Sequence, residues 1–289
     1  MNWIKRLFGG AGSPNSRARS AREKSSVDML KGRYRGLYKS AVHLRANEST
    51  GLSRLGGLPV MPAEIEWPQW KDKPQAFLAQ LDLSEIHGAL ASFLPASGFL
   101  YFFYDQDQSI WGFDPQDAAG WRVCYCEGDL MGIVERSAPE GLSKDSIYRP
   151  KRVAPCLIDT LPDSQSLPPA DWDWDRDGDS YFQLRSAPFR GQPPHQMFGY
   201  ASPVQDDDME RQCQFVSNGI YLGNAEGYKD PRIPALEAGA ADWKLLLQLD
   251  SDDDTGWMWG DAGTLYFWIR EQDARRCDFS KVWMIFQCA

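Results

Sequence analysis

Between residues 171 and 180 the chain reads Asp-Trp-Asp-Trp-Asp-Arg-Asp-Gly-Asp-Ser, a carboxylate density that points to cation chemistry. Asp173, Asp175 and Asp177 before Gly178, with Asp179 beyond, match the opening of a calcium loop. In such a loop, oxygens at alternating positions converge on one ion. The position that should supply a bidentate Glu is Leu184, and the flanks Leu167-Pro168-Pro169 and Tyr181-Phe182-Gln183-Leu184 do not read as helices. These departures argue against a true EF-hand. What is left is loop-type calcium binding at these four aspartates, or a solvated acidic loop. If the stretch is extended, alternation puts the aspartates on one face and Trp172 and Trp174 on the other.

Two further acidic clusters follow, Asp206-Asp207-Asp208 with Glu210, and Asp250 with Asp252-Asp253-Asp254. Crowded carboxylates repel one another, so such a surface gains from a cationic partner and speeds encounter with it. Trp257-Met258-Trp259-Gly260-Asp261 lies on a turn-rich connection beside the second cluster. Tryptophan there would add contact area at little entropy cost. The candidate partner surface is thus Asp206, Asp207, Asp208, Asp250, Asp252, Asp253, Asp254, Trp257, Trp259 and Asp261. The plainer reading is turn-forming aspartates and core-capping tryptophans.

Signatures of catalysis are missing: the sequence holds no GxGxxG, Walker A loop, GxSxG elbow or HExxH. His195, after Pro193-Pro194, could pair with Cys213 or with an aspartate, or simply hold a loop carbonyl. In an alternative reading, an enzyme or small-ligand protein, His195, Asn218, Gln248, Asp250 and Asp261 converge on one pocket between two halves of the chain. Six cysteines and three histidines show no zinc spacing, so the cysteines read as small hydrophobes in a reducing compartment. No cofactor is implied beyond the calcium reading.

Strands must position these residues. Phe77-Leu78-Ala79-Gln80-Leu81-Asp82 precedes Gly98-Phe99-Leu100-Tyr101-Phe102-Phe103, and Leu245-Leu246-Leu247-Gln248-Leu249-Asp250 precedes Gly263-Thr264-Leu265-Tyr266-Phe267-Trp268. A third apolar strand follows each, Trp121–Cys126 and Lys281–Phe286. The echo predicts two similar antiparallel-sheet halves, about 40–150 and 195–289, related by internal duplication and burying their aromatic faces against each other. An acidic segment rich in Pro, Asp and Trp joins them. Helices look few and short: 28–39, weakened by Gly32 and Gly36; Glu85–Phe93, capped by Ser84; and Glu271–Cys277. The class is β-rich α+β.

Charge divides the 289 residues unevenly. Residues 1–45 carry 11 Lys and Arg against two acids, whereas 46–289 carry 20 against 38. An acidic body argues against nucleic-acid binding, which needs clustered Lys and Arg. Residues 9–26 are a Gly, Ser and Arg-rich tract, so 1–27 read as a basic, disordered leader to a single domain over 28–289. Its first eight residues group Trp3, Ile4, Leu7 and Phe8 and would touch an anionic membrane surface only weakly. With no apolar run near the ~20 residues of a membrane span, and no signal peptide, the expected address is the cytoplasm.

Several segments resemble the YwqG-like bacterial family, a domain of unknown function. They are Leu55-Gly56-Gly57-Leu58-Pro59 with Trp67-Pro68, Phe77–Leu83, His195–Tyr200 with Pro203-Val204-Gln205, Asn218–Tyr221, and Leu247–Asp252 with Trp259–Phe267. The resemblance runs over residues 40–289 and implies a soluble β-rich fold with internal duplication and no established activity. Some relatives resemble immunity proteins that neutralise secreted polymorphic toxins by binding them. No catalytic residue carries over. The expectation is a non-catalytic cytoplasmic binding protein whose acidic, Trp-containing surface meets a basic partner such as a cognate toxin domain.

Overall fold

The computed structural model describes residues 26–47, 51–86, 92–168 and 172–289. The basic leader up to residue 25, with its expected membrane contact, lies outside the described residues, as does Asp171. Helix α1 covers 26–33 and yields to a 3-10 turn at Arg35–Leu37, so it starts earlier and stops sooner than 28–39. Gly32 and Gly36 flank that break, and glycine in a helix interior would weaken its continuation.

Among the described residues twelve strands follow: β1 Lys39–Ala46, β2 Arg54–Leu55, β3 Gln69–Trp70, β4 Lys73–Pro74, β5 Ala76–Asp82, β6 Phe99–Tyr104, β7 Trp121–Cys126, β8 Lys151–Thr160, β9 Gln196–Phe198, β10 Trp243–Asp250, β11 Thr264–Arg270 and β12 Trp283–Gln287. Ten of them form one antiparallel sheet in the order β12-β11-β10-β9-β1-β8-β2-β5-β6-β7, while β3 and β4 pair as a hairpin. The helices are short: α2 Trp174–Ser186, α3 Met209–Ser217, α4 Ile233–Leu236 and α5 Glu271–Arg275. Of the helix expected over Glu85–Phe93, residues 87–91 lie outside the described residues; just before them Leu83–Glu85 form a 3-10 turn capped by Asp82.

The sheet curls until it nearly closes. Its two edge strands approach through tryptophans: Trp121 donates to Val282 O at 2.9 Å, and its ring lies 5.0 Å from Trp283. Inside, Phe102 of β6 meets Phe267 of β11 edge-on at 5.3 Å. The aromatic faces of the two halves thus do bury each other, but as opposite walls of one sheet. β1, expected with the first half, lies instead beside β9 of the second, and the two groups of five strands join where β1 pairs with β8 from Lys39↔Thr160 to Ala46↔Val153.

The pairing of β5 with β6 corresponds to that of β10 with β11. β5 pairs with β6 as Gln80↔Tyr101, Leu81↔Leu100 and Asp82↔Phe99, and β10 with β11 as Gln248↔Tyr266, Leu249↔Leu265 and Asp250↔Thr264. Each first strand bulges two residues before its glutamine, at Leu78 and at Leu246. Both glutamines are fully buried clamps. Gln80 donates to Leu52 O and accepts from Val60 N–H; Gln248 donates to Pro194 O and accepts from Ser202 N–H. Tyr101 and Tyr266 then donate to the carbonyls of Val60 and Ser202. A buried amide must find partners for both ends, so each clamp fixes the loops on either side of a two- or three-residue strand.

Candidate functional site

The structure overturns the loop reading of the 173–179 aspartates. Asp173 accepts the N–H of Arg176 and caps α2, so Trp174 onward is helical. Asp175 and Asp177 fall in the first turn, where the helix dipole favours anions. Asp177 is buried rather than solvated and is held by Arg33 and Arg176. Trp172 and Trp174 part company: Trp174 is 67% exposed, while Trp172 packs 5.2 Å from Tyr181. The helical rise spreads Asp173, Asp175, Asp177 and Asp179 round the axis, and among the described residues no His, Cys, Asp or Glu group converges as a metal site.

The other acids are largely engaged within the chain. Asp206 accepts from Gln212, Asp207 from Ser166 Oγ, and Asp208 pairs with Arg211 at 2.8 Å, all just before or in the first turn of α3. Burial pushes the carboxyls of Asp207 and Asp208 above the usual range. On the β10–β11 connection, Lys151 reaches Asp252 at 2.8 Å and Asp254 at 2.9 Å. Arg149 donates to the backbone carbonyls of Asp253 and Asp254. Trp257 and Trp259 are 1% and 0% exposed, so neither indole belongs to a contact surface. Alternation along this connection turns Thr255, Trp257 and Trp259 inward and leaves Asp253, Asp254, Met258 and Asp261 outside.

Of the five expected pocket residues, three come together. Asp250 ends β10, and its N–H donates to His195 Nδ1 at 3.1 Å. His195 Nε2 therefore carries the proton and faces Asp252 Oδ2 at 3.2 Å. The partner of His195 is this carboxylate, not Cys213 or a carbonyl. With both nitrogens engaged and the ring 2% exposed, His195 positions the loop and is not available as a base. Gln248 clamps Pro194 to Ser202 as described. Asn218 instead closes α3 by donating to Gln214 O, and Asp261 is an exposed loop residue whose carbonyl accepts from Ala289.

Of these three only Asp250 lines a cleft of about 680 Å³ beside the end of β10, while Gln248 holds its Pro194 and Ser202 from behind. Its walls include Phe182, Phe189, Pro194, Pro203 and Val204, and Asp250 lies on its floor beside Thr264. Phe182 is 70% exposed at the rim. Asp250 Oδ1 accepts from Thr264 Oγ1 at 2.8 Å and from Ser251 N–H at 3.0 Å. Its Oδ2 receives no hydrogen bond from a described residue. Burial raises the Asp250 carboxyl above its ordinary pKa, so a cation arriving there would be welcome. Arg185, on the opposite wall, is already paired with Asp163 at 2.6 Å. The site is thus an apolar cleft with one open carboxylate oxygen. No sequence signal marked α2, whose Phe182 and Arg185 complete it, because its aspartates mimic a loop.

A second histidine, missed in the sequence, holds the proline wall. His43 of β1 is fully buried and directs Nε2 at Pro193 O, 3.1 Å away. Burial lowers its pKa to about 4, outweighing the carbonyl bond. The unfolded chain, with an ordinary histidine, takes up a proton near pH 6.5 that the fold refuses until pH 4. Stability is therefore full above pH 6.5 and falls as pH drops toward 4, by on the order of 3 kcal/mol. Denaturation at stepped pH checks this: His43→Gln should flatten that limb, and an unchanged slope would contradict the assignment.

Among the described residues no helix is long and apolar enough to cross a membrane. The sequence model of a family described as Domain of unknown function (DUF1963) matches residues 53–288. No curated protein matches the chain.

Proposed function

The chain belongs to the DUF1963 family, and from that premise we propose that it is a non-catalytic cytoplasmic protein that binds a basic polypeptide. The open oxygen of Asp250 on the floor of a cleft walled by phenylalanine and proline carries the reading. A lysine or arginine of the partner would lay its methylene stem along Phe182 and Pro194 and bring its charge to Asp250. The outward acids Asp253, Asp254 and Asp261, with exposed Met258, would steer it there. The resemblance to YwqG-like proteins, some of whose relatives resemble immunity proteins, favours a cognate toxin domain as that partner. That step is an analogy of family, weaker than the cleft. The matched registers, bulges and glutamine clamps support a duplicated unit as the origin of the fold.

Co-expression with the protein encoded beside it is the test. Growth rescue and a complex on gel filtration are expected, and Asp250→Asn should weaken that complex about tenfold or more, the worth of one charge-assisted hydrogen bond. Neither rescue nor complex, or a complex indifferent to Asp250→Asn, would overturn the proposal.

A further inference from the structure

A different cleft, of about 710 Å³, opens at the other end of the second half, where β1 and β10 begin and β9 and β11 end. Its floor is aromatic: Phe198, Trp243 and Trp268 are each buried. Its lining also holds two ammonium groups and one carboxyl, Lys39, Lys244 and Glu210.

Both lysines have neutral company. Lys39 Nζ lies 3.9 Å from the centre of the Tyr200 ring, and among the described residues no carboxylate is within ion-pair reach. Lys244 Nζ donates to Ala241 O at 2.7 Å. Among the described residues neither lysine makes an ion pair, so the cleft carries two cations that no direct contact neutralises. Glu210 shares the cleft but, among the described residues, forms an ion pair with neither lysine, and burial raises its carboxyl from the ordinary value.

The backbone adds an independent sign. Phe198 has φ +62°, a left-handed value that a bulky side chain adopts only under strain. Its counterpart by the glutamine-clamp register is Gly56, also at φ +62°, and the next residues, Gly57 and Gly199, sit at +72° and +71°. At Gly56 an added Cβ would come 2.4 Å from Arg149 O, so no side chain fits. The second half keeps this glycine conformation but places there an aromatic ring that lines the cleft, edge-on to Phe93 at 5.4 Å.

We propose that this cleft binds a small organic anion with a flat apolar body, of the class of an aromatic carboxylate or sulfonate. The ring would lie on Phe198 and Trp243, and the anionic group would reach Lys39 and Lys244. The volume suits such a ligand, since small-molecule sites run from about 300 to 1,000 Å³.

Anilinonaphthalene sulfonate, titrated into the full chain and followed by fluorescence, is the probe. One site per chain is expected, with benzoate displacing the dye and neutral benzyl alcohol doing so far less well. Lys39→Met with Lys244→Met should weaken binding about tenfold or more, whereas Glu210→Gln should tighten it, because a like charge is removed. Opposite signs from neighbouring substitutions separate a built site from general stickiness, and Glu210→Gln removes no ion pair on which the fold depends. Asp250→Asn should leave dye binding unchanged. Absence of binding, equal displacement by benzyl alcohol, or affinities within about twofold across these variants would overturn the proposal.

Discussion

Asp252→Ala is expected to cost about 3–5 kcal/mol, a large share of the 5–15 kcal/mol that stabilises a typical domain. Asp252 is 5% exposed and accepts from His195, from Lys151 and from the N–H of Asp254. Burial alone would raise its pKa, but the hydrogen bonds from His195 and Lys151 outweigh that and hold the carboxyl well below the ordinary range. The alanine variant leaves the Lys151 ammonium, whose side chain is only 13% exposed, with the exposed Asp254 carboxylate alone, beside a histidine that has lost its acceptor. It also frees the connection that Lys151 and Arg149 tie to the start of β8. Asp254→Ala, by contrast, removes a carboxylate that is 78% exposed and should cost below about 1 kcal/mol. Urea denaturation of the two variants checks the contrast. Adding Lys151→Met to Asp252→Ala should restore part of the loss, since the cost lies in the uncompensated charge. The pH dependence has a definite sign. A depressed carboxyl contributes stability that is full above about pH 4 and is lost as pH falls further, and Asp252→Ala should lack that limb. A variant within about 1 kcal/mol of the parent would show that the ion pair is ornamental.

How far such a site could be read from sequence depended on which competitor each residue faced. The strands β5, β6, β10 and β11 announced themselves because apolar runs ending in Gln-Leu-Asp recur before Gly-X-Leu-Tyr-Phe. Even the glutamines, polar residues inside apolar runs, signalled that something buried needed partners. β8 was hidden by Pro155, which argues against a central strand. It is tolerated because Leu44, opposite it, sends its own N–H to His195 O, so β1 asks no donor of Pro155. On the other side, β2 covers only Lys151 and Arg152. α2 was hidden by chemistry rather than by periodicity. Aspartates at every second position read as a cation loop, and what settles them as helical is Arg33, 144 residues away, neutralising Asp177. His195, Gln248 and Asp250 were found, but as scaffold and floor of one cleft rather than as a catalytic set. Asn218 and Asp261 shared their motifs without sharing their place.

Trp259→Ala is expected to destabilise the fold by about 3–5 kcal/mol without acting on partner binding directly. The expectation reverses the surface role that the acidic neighbours of Trp259 suggest. Its side chain is 0% exposed, and its ring meets Tyr104 at 6.2 Å, Tyr148 at 5.6 Å and Trp257 at 5.4 Å. Two of those three belong to the first half, so the connection between β10 and β11 is a plug driven into the other half. Trp257 extends the same stack to His195 at 5.4 Å, which places the cleft floor and the plug in one packed unit. Cavity formation there would loosen the contact between halves that the nearly closed sheet requires. Trp259→Phe keeps most of the apolar volume and surrenders no protein hydrogen bond, because the indole Nε1 has no acceptor among the described residues. It should therefore cost less than about 1.5 kcal/mol. Equilibrium denaturation orders the two variants. Partner affinity, measured on the folded fraction, should stay within about twofold for Trp259→Phe while Asp250→Asn abolishes most of it. If Trp259→Phe weakened binding as strongly as Asp250→Asn with its stability intact, the indole would have to be a contact residue that the folded chain exposes to its partner.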